Sequence, residues 1–293
     1  MKILFIGAVK FSEECLKKLI DLGVNVVGVC TLKESAFNSD HRNLSKICKV
    51  NNISHIYSPK INSVENLNWI RSKTPDIIFC FGWSRLLKSD LLSIPRMGVL
   101  GFHPAALPKN RGRHPLIWAL VLGLNKTAST FFFMDEYADS GDILSQKIVI
   151  INDDDNAQSL YNKIIRTATK QIEEFLPKLF SGTYAKMRQD HRKANEWRKR
   201  TKRDGIIDWR MSAISIHNLV RGLSKPYVGA HFEYEGKEIK VWETEVVVCG
   251  KKNIEPGKII GNDKSGLVIK TGHNAVRLLH TEPDLKISRG VSL

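Results

Sequence analysis

Cysteine is scarce in this chain, and its sequence has no long apolar run. The 293 residues include five cysteines, an odd number without a Cys-x-x-Cys pair. This usage argues against a disulfide framework and against a zinc site, so we predict no metal. The opening MKILFIGAV resembles the start of a signal peptide, but Lys10, Glu13 and Glu14 interrupt it, and no segment is long enough to span a membrane. The sequence predicts a cytoplasmic protein without a membrane partner.

Acidic residues are few relative to basic ones, with 30 Asp and Glu against 45 Lys and Arg and a net charge of +15. Between Lys186 and Arg203, nine basic residues face only Asp190 and Glu196, which accounts for seven of the fifteen net charges. Such a run is typical of a solvated linker, or of a surface that binds the phosphates of a nucleic acid or nucleotide. The remaining composition is that of an ordinary globular protein.

The first half of the chain alternates apolar strand-like runs with helical segments. KILFIGAV, VNVVGVCT, DIIFCFG and MGVLGF predict strands, and segments such as FSEECLKKLIDLG predict the helices between them. Continuous apolar strands separated by helices indicate an α/β fold, a mostly parallel sheet with helices on both faces. The first strand-to-helix turn, GAVKFS, lacks the Gly-x-Gly-x-x-Gly spacing, which argues against a dinucleotide cofactor.

The pattern changes after residue 204. SAISIHNLVRGL predicts a helix, AHFEYEGKEIKVWETEVVV predicts a hairpin that turns at Glu235-Gly236, and shorter β-runs follow. These elements indicate a small, barrel-like antiparallel β domain. We predict an α/β domain over 1–183, a basic linker over 184–204 and the β domain over 205–293.

Two polar clusters follow predicted strands. His103 ends the strand MGVLGF, and an acidic segment with Asp135, Glu136, Asp139 and Asp142 separates two later β-runs. A carboxylate that faces an imidazole fixes its tautomer and favours its use as a general base. A histidine at a strand end can also be structural, and DSGD has the chemistry of a hairpin loop. Because no serine elbow or reactive cysteine motif is present, the pair indicates proton transfer in a direct displacement.

The segment GFHPAALPKNRGRHPLIWAL, followed by TASTFFFMDEYADSGDIL, resembles the folate-dependent formyltransferase family. The family pattern is Asn-x-His, then Leu-Pro-x-x-x-Gly, then an aspartate in an Asp-x-Gly turn. DGIIDWRMSAISIHNLVRGLSKPYVGA resembles the C-terminal domain found in methionyl-tRNA and sugar formyltransferases. The resemblance implies a catalytic Rossmann-like domain, an OB-like C-terminal domain and 10-formyltetrahydrofolate as formyl donor.

The resemblance assigns the catalytic roles to His103 and Asp139. The family asparagine two residues before the histidine is missing, because Gly101 stands there. Its amide is one expected donor to the oxyanion that forms when an amine attacks the formyl carbon, and losing such a donor typically costs roughly two to three orders of magnitude in rate. Either protonated His103 supplies this stabilisation, or Asn110 in the neighbouring loop PKNRG does.

Further residues are predicted to hold the donor and the acceptor. The resemblance places the pterin against the segment FGWSRLL, largely through backbone groups, with residues 134–138 as the opposite wall. Arginine side chains suit phosphate or carboxylate, although they can equally anchor the loop. The predicted donor contacts are Phe81, Gly82, Trp83, Arg85, Leu86, Leu87, Met134, Asp135, Tyr137 and Ala138, and the predicted acceptor contacts are Lys10, Arg111, Arg113 and Tyr227.

Three kinds of acceptor compete within the family. Glycinamide ribonucleotide formyltransferase would not need residues 205–293, whereas the methionyl-tRNA and sugar-nucleotide enzymes share both domains. The basic charge suits a tRNA, but FGWSRLL, DGIIDW, NLVRGLSKPYVGA and FNSDHRNL resemble the sugar enzymes. We therefore expect a UDP- or dTDP-linked amino sugar, formylated at carbon 3 or 4 for a surface glycan such as lipopolysaccharide. On this interpretation nucleic acid is disfavoured as a partner, and a homodimer is compatible.

A different class of protein stays open. Because Gly101 replaces the family asparagine, the chain could be an inactive, basic nucleic-acid-binding protein. Against this interpretation, His103, Asp139 and the complete loop LPKNRG are retained, and the dense aromatic and basic interleaving of a single-strand binder is missing.

Overall fold

The computed structural model describes residues 1–35, 39–263, 265–285 and 287–293. The strands are β1 (Ile3–Ile6), β2 (Val26–Thr31), β3 (His55–Tyr57), β4 (Ile77–Cys80), β5 (Val99–His103), β6 (Arg111–Gly112), β7 (Lys126–Phe133), β8 (Ile143–Ile150), β9 (Glu196–Trp197), β10 (Ala230–Tyr234), β11 (Lys237–Val247), β12 (Ile259–Asp263), β13 (Gly266–Lys270) and β14 (Ala275–Glu282). The helices are α1 (Lys10–Asp21), α2 (Ser45–Val50), α3 (Val64–Ser72), α4 (Ser89–Leu92), α5 (Pro115–Val121), α6 (Ala157–Ser181) and α7 (Ala213–Leu223).

The chain divides into two compact units. The first unit comprises Met1–Gly112, Thr127–Val149 and Asn162–Trp197, and the second comprises Arg113–Lys126, Ile150–Tyr161 and Arg198–Leu293. Two segments that precede residue 184 thus belong to the second unit, so this division differs from the predicted boundaries. The boundaries 1–183, 184–204 and 205–293 stay a prediction.

The first unit is built on a seven-stranded sheet of order β3-β2-β1-β4-β5-β7-β8. The pairings from β3 through β5 are all parallel, and β7 pairs antiparallel with β5. Every residue of β1 and β4 is buried, as expected for parallel strands covered on both faces. The predicted mostly parallel α/β fold is therefore confirmed, and the carboxyl ends of β1, β4 and β5 share one edge of the sheet, where ligands of such folds bind.

The register of β5 decides what surrounds its polar end. Gly101 lies opposite Cys80 of β4 and Phe132 of β7, and His103 lies opposite Thr130. Because side chains alternate along a strand, Gly101 and His103 share one face of the sheet.

The second unit contains a five-stranded antiparallel sheet of order β10-β11-β14-β13-β12. Ile216, Leu219 and Val220 of α7 belong to the same apolar core as Val241 and Val276 of the sheet. The predicted C-terminal β domain is confirmed. The β10–β11 hairpin turns at Glu235 and Gly236, as predicted, and both residues have positive φ, as a tight two-residue turn requires.

The segment predicted as a basic linker has secondary structure of its own. It contains the 3-10 turns His191–Lys193 and Lys202–Gly205, and the short strand β9 pairs with β6. Gln189 and Arg200 are buried within it. Among the described residues, no helix combines the length and the hydrophobicity that crossing a membrane requires.

Candidate active site

His103 is the last residue of β5 and is buried, with 5% of its surface exposed. Its Nε2 lies 2.7 Å from the carbonyl oxygen of Asn110, and because a carbonyl only accepts, Nε2 carries a proton and donates it. Its Nδ1 lies 3.5 Å from Oδ2 of Asp139. Both ring nitrogens thus face acceptor oxygens.

Asp139 is held in a strained turn. Its φ of 55° lies in the left-handed region, and its Oδ2 accepts a hydrogen bond of 3.0 Å from the backbone N–H of Gly112. A Cβ at Gly112 would lie 2.3 Å from the carbonyl oxygen of Trp197, and the φ of Gly112 is 97°. Glycine is therefore required where the backbone N–H reaches this carboxylate.

Asn110 lies beside His103, as the sequence predicted, but it contacts the ring through its backbone. Its φ is 63°, its N–H donates to Oδ1 of Asn195 over 2.9 Å, and its carbonyl accepts from His103. A part for its amide side chain as an oxyanion donor stays a prediction.

Gly101 is buried beneath a methionine. A Cβ built at this position would lie 2.8 Å from Cγ of Met134 and 3.0 Å from Cζ of Phe132. Met134 follows β7, and its N–H donates to the carbonyl of Val99 over 2.7 Å, which fixes it against β5. The space where the family asparagine side chain would begin is thus filled by Met134.

The predicted donor site lies at the carboxyl end of β4. Trp83 and Met134, from the two predicted walls, pack against the same apolar cluster. Trp83 Nε1 is buried without a hydrogen-bond partner in the described structure, and such a group is stabilised when a ligand accepts a hydrogen bond from it. The loop residues 82–88 form neither helix nor strand, so their backbone N–H and C=O groups are not paired within a helix or a sheet. These features fit an apolar, flat ligand with polar ring edges, as a folate has.

The other predicted donor contacts differ in exposure. Phe81 and Leu87 are buried in the core and support the loop from beneath. Gly82 has a φ of 70° and approaches the side chains of Val9 and Ser12. The remaining residues of the two walls are exposed, and they are Arg85, Leu86, Asp135, Tyr137 and Ala138. Within this set, the carboxylate of Asp135 accepts from the N–H of Tyr137.

The predicted acceptor contacts fall in both units. In the first unit, Lys10 begins α1, and Arg111 is an anchor of its loop: its Nη2 donates to Oε1 of Gln189 over 2.7 Å and lies 3.0 Å from Nδ1 of His191. In the second unit, Arg113 is exposed and Tyr227 packs against the apolar core.

Sequence reasoning missed Gln189 and Asn195, which hold the loops around His103. Gln189 donates to the backbone of the Asp139 turn, and Asn195 accepts from the backbone of Asn110 and Arg111. Both lie within the basic run, whose charges were the only signal considered there. Neither residue carries a pattern that would have marked it in the sequence.

Two family descriptions match the chain: Formyl transferase over residues 1–176, and Formyl transferase, C-terminal domain, over residues 199–290. The methionyl-tRNA formyltransferase of Caldanaerobacter subterraneus is 32% identical over 300 residues, with 99% of this chain and 95% of the relative covered. That of Geobacter metallireducens is 31% identical, with 95% and 89% covered. The chain belongs to the formyl transferase family.

The predicted enzyme class, a formyltransferase, is confirmed. The fold is shared with WlaRD, a sugar 3N-formyl transferase solved with dTDP and 5-N-formyl-THF, at a TM-score of 0.72, 16% identity, and 97% and 99% coverage. The predicted formyl donor is confirmed as the family's donor, a formyltetrahydrofolate.

The predicted acceptor, a UDP- or dTDP-linked amino sugar, is wrong. Six curated relatives, each 29–32% identical over nearly the whole chain, are methionyl-tRNA formyltransferases. The likeness to the sugar enzyme, at 16% identity, shows the fold alone. Of the segment FNSDHRNL, which favoured the sugar interpretation, Phe37 and Asn38 lie outside the described residues. The expected role in glycan synthesis depended on the sugar acceptor and loses its basis. The same holds for the expectation that nucleic acid is disfavoured as a partner.

Proposed function

We propose that this enzyme formylates the α-amino group of methionyl-tRNA, with 10-formyltetrahydrofolate as donor. The observation that supports this most is the similarity to methionyl-tRNA formyltransferases across 99% of the chain, which includes both domains. The net charge of +15 agrees with a polyanionic partner.

The basic run from Lys186 to Arg203 has the exposure that phosphate contacts need. Eight of its nine basic side chains are exposed, and only Arg200 is buried. Several are paired with acids, such as Arg198 with Asp204 and Lys202 with Glu238. Exposed ion pairs contribute little stability, so a phosphate can replace the carboxylate at small cost.

The folate, when bound, supplies the formyl group. Trp83 and Met134 would flank its pterin, and the backbone of residues 82–88 would meet the polar edge of that ring. Phe81 and Leu87 act beneath this loop, because they are buried in the core. A rigid, largely preformed site of this kind holds the reacting carbon in one place for the incoming amine.

The chemistry assigned to the chain is proton transfer. In the overall reaction the amine nitrogen bonds to the formyl carbon, the bond from that carbon to the folate nitrogen breaks, and the amine's proton ends on that folate nitrogen. His103 Nδ1 and the carboxylate of Asp139, which lie 3.5 Å apart, are the groups that hold and release this proton, because Nε2 is occupied by the carbonyl of Asn110. The carboxylate also stabilises the charged ring. The same charged ring can stabilise the negative charge that develops on the acyl oxygen.

The test is formylation of methionyl-tRNA by the purified enzyme with 10-formyltetrahydrofolate, at several salt concentrations. We expect turnover whose KM rises steeply with salt, by about a thousandfold between about 50 and 200 mM if about six phosphates are contacted. His103→Asn should lower kcat by about two to four orders of magnitude while the protein stays folded.

Amino-sugar nucleotides, UDP- and dTDP-linked, are the control acceptors. Efficient turnover of one of them, together with none of methionyl-tRNA under matched conditions, would overturn the proposal. Salt-insensitive turnover of methionyl-tRNA would contradict the proposal that the basic run from Lys186 to Arg203 contacts the phosphates of the tRNA. The cytoplasmic localisation and the homodimer stay predictions.

A further inference from the structure

Gln189 is a buried polar side chain next to the candidate catalytic pair. It lies after α6, in the segment predicted as a basic linker, and only 4% of its surface is exposed. A buried amide is stable only when its hydrogen-bonding groups are paired, so its partners indicate why it is buried there.

All of the polar groups of this amide are used. Nε2 donates to the carbonyl oxygen of Asp139 over 2.9 Å and to that of Gly141 over 2.6 Å. Oε1 accepts from Nη2 of Arg111 over 2.7 Å. One side chain thus connects the turn that carries the candidate catalytic aspartate with the loop that follows His103.

Both connected segments contain residues with positive φ. Asp139 has a φ of 55°, Asn110 has 63° and Gly112 has 97°. Left-handed conformations of residues other than glycine are strained and are retained where the surroundings hold them. The two donated bonds of Gln189 hold the Asp139 turn on one side, and Asn195 holds the loop on the other.

The carboxylate of Asp139 is positioned by this backbone. Its Oδ2 accepts from the N–H of Gly112 over 3.0 Å and lies 3.5 Å from Nδ1 of His103. A small rotation of the turn would change the distance to His103, which exceeds that of a strong hydrogen bond. The separation of the catalytic pair therefore depends on what fixes the turn.

We propose that Gln189 is a positioning residue for the formyl transfer: it holds the Asp139 turn so that the carboxylate faces His103. The inference rests on the proposed function, which assigns proton transfer to that pair. Gln189 contacts neither reacting group, and it acts through the backbone of Asp139 and Gly141.

The test uses Gln189→Leu, Gln189→Glu and a matched control. Leucine removes all three hydrogen bonds. Glutamate keeps the oxygen that accepts from Arg111, but it places a second carboxylate oxygen against the carbonyls of Asp139 and Gly141, to which Nε2 donates in the wild type. The control is Gln171→Leu, because Gln171 is also buried in the first unit and its Nε2 donates to Ser129 and Ser145 rather than to the Asp139 turn.

We expect kcat to fall about a hundredfold in both Gln189 variants, with KM changed less than about threefold, since a small misplacement of a catalytic group acts on rate more than on binding. The ¹⁵N signals of the His103 ring should shift in both variants, measured without substrates. Gln171→Leu should keep kcat and the His103 signals of the wild type, because the hydrogen bonds that it removes do not involve the Asp139 turn.

Several results would overturn the inference. They are wild-type kcat in either Gln189 variant, unchanged His103 signals in both, or a loss of kcat in Gln171→Leu as large as in Gln189→Leu. Should the leucine variant fail to fold, Gln189→Glu, which conserves shape, decides the question. The ring signals need no acceptor, so absent turnover of methionyl-tRNA by the wild type would count against the proposed function and not against the positioning role.

Discussion

The carbonyl oxygen of Asn110 accepts a hydrogen bond from Nε2 of His103 over 2.7 Å. The loop after β5 thus contributes a backbone group to the candidate catalytic ring, and Nδ1 is left to face Asp139 at 3.5 Å. Replacing Asn110 by glycine and by alanine separates this backbone contact from a contribution by the Asn110 side-chain amide.

Asn110→Gly should keep most of the activity. Glycine adopts the φ of 63° without strain, so the carbonyl should stay on His103 and kcat should remain within about threefold of the wild type. Asn110→Ala should lower the free energy of unfolding by about 1 kcal/mol, because alanine is strained in the left-handed region. Steady-state kinetics and urea unfolding of both variants provide the measurements.

The alternative for Asn110 predicts a different pattern. If its amide stabilises the oxyanion, both variants lose roughly two to three orders of magnitude in kcat, with substrate affinity hardly changed. Equal and large losses of kcat in the glycine and alanine variants would therefore refute the backbone-only role.

Gly101→Asn should destabilise the protein. The new side chain would start 2.8 Å from Cγ of Met134, and overpacking of this kind costs about 1–3 kcal/mol. Met134→Ala should relieve part of that cost in the double variant. Urea unfolding of the two single variants and the double variant gives the coupling free energy. Strict additivity would show that Met134 does not occupy the space of the missing asparagine.

Stability should fall as the pH drops below neutral. Burial lowers the pKa of His114, His217 and His231 in the folded state from the ordinary value of about 6.5. Above about pH 6.5 these histidines are neutral in both the folded and the unfolded state. Below that pH, the histidines of the unfolded state bind protons that those of the folded state do not. Stability is therefore lost as the pH falls through the pKa values of the folded state. Glu238, whose pKa is lowered to about 2 by ion pairs with Lys202 and Lys240, contributes stability that is lost only as the pH falls below its ordinary pKa of about 4.3.

The urea midpoint of unfolding, measured at intervals from about pH 7.5 to pH 5.5, checks this expectation. His217→Gln should flatten the curve, because glutamine can still bond the hydroxyl of Thr244, which lies 3.1 Å from His217 Nδ1, but does not titrate. A midpoint that rises on acidification would show that the sign is wrong.

Native cysteine reactivity should be confined to one thiol. Burial raises the pKa of Cys30 to about 12 and that of Cys48 to about 11, and it also raises the pKa of Cys15 and Cys80. Since the thiolate is the reactive form, these four should resist alkylation, and partly exposed Cys249 should react first. Intact-mass spectrometry after iodoacetamide treatment should show one adduct in the native protein and five after denaturation. Rapid double labelling of the native protein would contradict the burial of these side chains.

Local patterns in the sequence were sufficient for the fold class. β1 and β4 are continuous apolar runs because both faces of these strands are buried, and the hairpin at Glu235-Gly236 follows from a glycine between two strand-like runs. The motif resemblance marked His103 and Asp139, which the structure brings to 3.5 Å. The acceptor was predicted wrongly because short segments were given more weight than the basic charge.

What the sequence by itself determined is therefore the fold class, the formyltransferase family and the two residues proposed as the catalytic pair. Tertiary structure alone decided how that pair is held. The register of β5 against β7 places Met134 over Gly101, and the return of the chain after α6 brings Gln189 and Asn195 to loops about fifty and eighty-five positions away. Contacts over such separations depend on packing and strand register rather than on local periodicity, so no local pattern in the sequence contains them.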